Sequence, residues 1–113
     1  MSDAIIVYVC CKDSAQAECI ATAAVEERLA ACANIIPGTR SIYRWEGKTE
    51  STQEVVLLLK TQAVHFEACA ALVRRLHSYE VPCIVALPIE KGTPDFLGWL
   101  KEQTQLSEDR PCL

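Results

Sequence analysis

Runs with strand character and segments with helical spacing alternate along this chain in one order, and that order restricts the fold more than any other feature. The first run, Ala4–Cys11, is eight apolar residues long and rich in β-branched side chains, which suits a central strand covered on at least one face. It is far shorter than the roughly 18 apolar residues a membrane span requires. Asp13 then offers a helix cap, with Gln16 three residues on, a variant of the capping box. Ala17, Ile20, Ala21, Ala24, Val25 and Leu29 follow at helical spacing, predicting an amphipathic helix over Ser14 to Leu29. Cys32 to Trp45 is extended in character and broken by Pro37-Gly38, the mark of a bend and of an edge position. Glu46-Gly47-Lys48 and the polar Thr49 to Gln53 read as a turn, and Glu54 to Lys60 as the next strand. A second helix is expected over Ala63 to Ser78 and a fourth strand over Cys83 to Leu87, Pro82 holding Val81 extended. Thr93-Pro94-Asp95 starts a short last helix with Phe96, Trp99 and Leu100 on its apolar side.

Strand, helix, strand, strand, helix, strand is the split β-α-β order of a ferredoxin-like α+β domain. Right-handed crossovers place both long helices on one face of an antiparallel sheet. Only the short terminal helix remains for the other face, so its apolar residues are expected to meet a partner subunit. Residues 1–105 read as a single domain and 106–113 as a polar tail.

Charge and cysteine usage narrow the function. Eleven Lys and Arg stand against 15 Asp and Glu, a net charge of -4, and no basic run occurs; this excludes a basic nucleic-acid-binding face. No segment suits a membrane, and the N-terminus lacks the basic region of a signal peptide. Seven cysteines are an odd number, placed mostly within apolar strand and helix patterns. Reduced thiols in a cytoplasm are the simpler account. Cys10 and Cys11 are neighbours on a strand and point to opposite faces, one to the core and the other a strand-end thiol. Cys19, Cys32 and Cys69 read as small hydrophobes, and His65 as a surface or boundary residue. No glycine-rich phosphate loop and no Ser-His-Asp context is visible, so no enzyme and no organic cofactor are expected.

The stretches LAACANIIPGTRSIYRWEGK (Leu29 to Lys48), EVVLLLKT (Glu54 to Thr61) and HSYEVPCIVALPIEKG (His77 to Gly92), closed by FLGWL, resemble the CutA family of divalent-cation tolerance proteins. The resemblance runs from Ile5 to Leu100. It implies a homotrimer similar to the PII signalling proteins, and binding of copper or another divalent cation through a cysteine near the end of the first strand and a histidine near the end of the second helix. Those positions are Cys11 and His77. The family patterns are similar to Val-Thr-Cys-Pro and His-Pro-Tyr-Glu-x-Pro-Glu, whereas here they read Val9-Cys10-Cys11-Lys12 and His77-Ser78-Tyr79-Glu80-Val81-Pro82-Cys83. A soft thiol, Cys83, thus replaces a hard carboxylate, and Cys11, His77 and Cys83 form the candidate metal set. The resemblance also implies an inter-subunit cleft containing Tyr43, Trp45, Glu46, Lys60 and Tyr79. A PII-like signalling or small-ligand role in that cleft is the alternative to metal binding.

Overall fold

The computed structural model describes residues 2–105; the tail, with Cys112, lies outside them. Strands β1 (Ala4–Cys11), β2 (Cys32–Trp45), β3 (Lys48–Gln62) and β4 (Ile84–Pro88) build one sheet in the order β2-β3-β1-β4. Every neighbouring pair is antiparallel. Helices α1 (Ser14–Glu26), α2 (Phe66–Leu76) and α3 (Pro94–Gln103) complete the domain. The α+β ferredoxin-like order read from the sequence is the observed one.

Strand parity decides where the core sits. Val7, Val9 and Cys11 of β1 and Leu57, Leu59 and Thr61 of β3 are inaccessible to solvent, because alternate residues share a face. On that face Ala17, Ile20, Ala21 and Ala24 of α1 and Cys69, Leu72 and Val73 of α2 join them in one cluster. Short alanines let α1 approach the sheet closely, which suits a chain whose aromatic content is only 6%. α3 packs elsewhere: Leu100 joins Ala4 and Ala31 in a second, smaller cluster with Leu97 and Ile89 beside it.

Asp13 caps α1 as its spacing predicts. Its Oδ1 accepts from the Gln16 N–H at 2.8 Å, and Gln16 Oε1 accepts from the Lys12 N–H at 3.0 Å. Asp13→Ala is therefore expected to cost about 1 kcal/mol, read as a lower urea midpoint with unchanged slope. The helix ends at Glu26, three residues earlier than its apolar spacing suggests. Arg28 adopts a left-handed φ of 61°, and the Leu29 N–H returns to the Ala24 carbonyl at 2.9 Å. That is a Schellman close, which leaves Leu29 buried but outside the helix. The Arg28 guanidinium then donates to the carbonyls of Glu102 and Gln103, tying α1 to α3.

The hairpin is longer than the sequence reading. Its turn is only Glu46-Gly47, with φ of 49° and 81°, a left-handed pair that follows the twist of the strands. Thr49 to Gln53 continue β3, pairing with Arg44 through Arg40. Their polarity marks a ribbon that projects past the helices, where both faces are wet. Pro37-Gly38 forms the register break between Ile36 and Thr39, and β2 is an edge strand as expected.

Four residues depart from expectation. His65 is buried, its Nε2 2.6 Å from the Thr104 carbonyl, so it fastens the turn before α2 to the end of α3. Cys19 is exposed, since the inner stripe of α1 runs through its neighbour Ile20. In α3 the stripe that turns inward carries Leu97 and Leu100; Phe96 and Trp99 stack on the adjacent, exposed stripe with ring centroids 5.7 Å apart.

Candidate functional site

The sheet face away from α1 and α2 carries Tyr8, Cys10, Val56, Leu58, Val85 and Leu87, as the register of β1 against β3 and β4 requires. Val85 and Leu87 are each 49% exposed. Where this face runs into the projecting hairpin it folds over a cavity of about 580 Å³, lined by Cys10, Tyr43, Trp45, Glu54, the segment from Ser78 to Val81, and Cys83. The register break at Pro37-Gly38 matters here. It shifts the parity of β2, so Ser41, Tyr43 and Trp45 face the same way as Glu54.

Glu54 is the most buried charged residue of this site, and the Tyr79 hydroxyl donates to its Oε2 at 2.8 Å. Burial, then this hydrogen bond and the carboxylate's charge, hold the Tyr79 phenol above its ordinary range. Cys10 is half-buried and sits between Tyr8 and Cys83. Burial first, then the negative potentials of Cys83 and Glu54, push its thiol up to about 12. The Tyr8 phenol is raised chiefly by burial as well.

His77 links the cleft to β1. Its Nε2 lies 2.7 Å from the Cys10 carbonyl, and its Nδ1 accepts from the Tyr79 N–H at 3.1 Å. A carbonyl can only accept, so Nε2 carries the proton and Nδ1 supplies the lone pair. Both nitrogens are thus engaged in holding Tyr79 over Glu54, with the two rings 4.7 Å apart. Cys11 is wholly buried on the helix-covered face, its thiol pushed up to about 11 by burial and then by Glu54 and Asp13. The structure therefore does not gather the expected metal set: Cys11 faces the core, His77 has no spare lone pair, and only Cys83 lines the cleft. No three or more His, Cys, Asp or Glu side chains converge as a metal-holding group among the described residues.

Of the expected cleft residues, Tyr43, Trp45 and Tyr79 are brought together and Glu46 and Lys60 are not. Glu46 occupies the hairpin turn. Lys60 stands six positions along β3 from Glu54, about 20 Å away at strand rise, with Nζ 5.7 Å from the Phe96 ring centroid, a cation–π placement. The sequence reading overlooked Glu54 and Cys10 as cleft groups. Glu54 stands just ahead of the apolar run it was grouped with, on the parity of Val56 and Leu58, and only the register reveals that it turns into the cleft.

The domain thus combines a ferredoxin-like fold, a sheet face that α1 and α2 leave uncovered, and a cleft at its margin lined by thiols and a carboxylate. The family model described as CutA1 divalent ion tolerance protein matches residues 5–103, and the chain belongs to that family. The divalent-cation tolerance protein CutA of Thermus thermophilus is 53% identical over 88 residues, covering 78% of this chain and 85% of that protein. Human protein CutA is 43% identical over 102 residues, 90% of this chain but 57% of the human protein, so the chain spans little more than half of that relative's length. The crystal structure of CutA from Xylella fastidiosa superposes with a TM-score of 0.89 at 41% identity, covering 92% of this chain and all of that one.

Proposed function

We propose that this protein is a non-enzymatic, cytoplasmic homotrimer that binds copper or a related metal ion at the cleft and contributes through that binding to metal tolerance. The observation that carries the reading is the cleft itself, where two sulfur atoms, Cys10 and Cys83, and the buried Glu54 carboxylate face one cavity. Sulfur donors favour soft ions such as Cu(I), and one chain offers at most these two thiols, so a neighbouring subunit completes the coordination. Cys83 keeps the role expected of it, and Cys10 takes the place expected for Cys11. Glu46 and Lys60 reach this cleft only from an adjacent subunit. A trimer packed through the bare sheet faces supplies that neighbour and covers Val85 and Leu87 together.

Copper titration of reduced protein tests the reading. Wild type is expected to saturate, Cys10→Ser and Cys83→Ser to bind at least about tenfold more weakly, and His77→Ala to lose less, because it acts through Tyr79. Equal, nonsaturating binding in all four proteins overturns it. The aromatic walls formed by Tyr43, Trp45 and Tyr79 favour one second reading, a PII-like small-ligand cleft. A nucleotide or carboxylic acid that raises the melting temperature where copper does not decides for that alternative.

A further inference from the structure

Two thiols that the sequence keeps far apart, Cys10 and Cys83, line one cleft. β1 and β4 pair from Ile5↔Pro88 to Val9↔Ile84; Cys10 directly follows and Cys83 directly precedes that last pair, so continuing the register by one position sets them opposite each other. Opposed residues in antiparallel strands have Cα atoms about 4.5 to 5.5 Å apart, inside the range of about 4.4 to 6.8 Å that a disulfide spans. The side chains also point the same way: both line the cleft, and Cys83 is near enough to help raise the Cys10 thiol. Cys83 is exposed while Cys10 is half-buried, an asymmetry that separates an attacking thiol from a resolving one.

We infer that Cys10 and Cys83 form a thiol–disulfide exchange site at which a low-molecular-weight disulfide oxidises the pair to a reversible intrachain cross-link. The exposed Cys83 thiolate attacks one sulfur of the small disulfide R–S–S–R, giving Cys83–S–S–R and releasing RS⁻. Cys10 then attacks the Cys83 sulfur of that mixed disulfide, the Cys10–Cys83 bond forms, and a second RS⁻ departs. Both thiol protons end on the two released RSH molecules, so two cysteines are oxidised and one small disulfide is reduced. Cys10 is a sparse thiolate, but it is held against its target, and effective molarities for such placements reach about 10⁵ M or more. An exposed cross-link at the mouth of a cleft is of the labile, regulatory sort rather than the structural sort, and the bond removes both thiols from the cleft.

The inference stands apart from metal binding, and metal-free protein tests it. Reduced full-length protein is incubated with oxidised glutathione, and intact mass and peptide maps are recorded under alkylating quench. Wild type is expected to become two hydrogens lighter with a Cys10–Cys83 linked peptide, and to recover on adding dithiothreitol. Cys10→Ser is expected to stall as a glutathione adduct at Cys83, and Cys83→Ser to gain neither adduct nor link at these positions. Cys19→Ser, at an exposed thiol outside the cleft, is expected to link as wild type does. Wild type that keeps all its thiols, stalls at the adduct as Cys10→Ser does, or links through other cysteines or between chains overturns the inference.

Discussion

Leu57→Ala is expected to destabilise the fold by about 2–5 kcal/mol. Leu57 is inaccessible to solvent. It lies on the central strand β3, opposite Val9 of β1 on one side and Ile35 of β2 on the other. Above it sits the layer of α1 and α2 that shares its cluster. The alanines of α1 are already short, so they offer no slack to collapse into the space a leucine leaves, and the cavity persists. Urea unfolding at fixed protein concentration, with the slope compared as well as the midpoint, measures the loss. Val64→Ala is the control: Val64 is 79% exposed and the change should fall within about 0.5 kcal/mol. Matching losses at the two sites would show that the layer between sheet and helices is not where the stability resides.

The second large effect concerns the bare face. If the chain assembles through this face as proposed, Val85→Glu combined with Leu87→Glu is expected to yield a monomer that is still folded, seen as a fall in mass by light scattering with a retained far-ultraviolet spectrum. Both side chains are half-exposed on β4, opposite Tyr8 and Ile6 of β1, so the single chain tolerates carboxylates there by leaving them in water. Across an interface the same carboxylates, several per assembly, are desolvated without partners, a cost of several kcal/mol per ion. A double variant that keeps the wild-type mass removes this face from the assembly, and with it the argument that a neighbour completes the cleft. If assembly is lost and copper affinity falls with it, the cleft and the interface are one site.

Much of this fold was legible because it rests on short-range rules. Asp13 with Gln16 started α1 where it starts. The eight apolar residues of β1 were bounded correctly at both ends, and Pro37-Gly38 announced both the edge position and the break in register. The misreadings share a cause. Helical spacing carried Leu29 into α1 because Leu29 is indeed buried, but it is buried from a left-handed turn at Arg28 that local apolar spacing does not encode. Polar Thr49 to Gln53 looked like a turn because polarity reports exposure, and a ribbon exposed on both faces is as polar as a loop. His65 looked like a surface residue because its partner, the Thr104 carbonyl, lies 39 positions away.

The candidate site divides along the same line. From the sequence alone came the element order, the shortage of cover for one sheet face, and the opposite facing of Cys10 and Cys11, all of which follow from alternation and helical period. Which of those two thiols belongs to the cleft was decided only by the tertiary structure, because facing depends on which side of β1 the helices occupy. The meeting of Cys10 with Cys83, the turn of Glu54 toward Tyr79, and the engagement of both His77 nitrogens depend on strand register and on a loop closing across the sheet. Those are long-range contacts, and a local pattern of residues carries no record of them until the chain has packed.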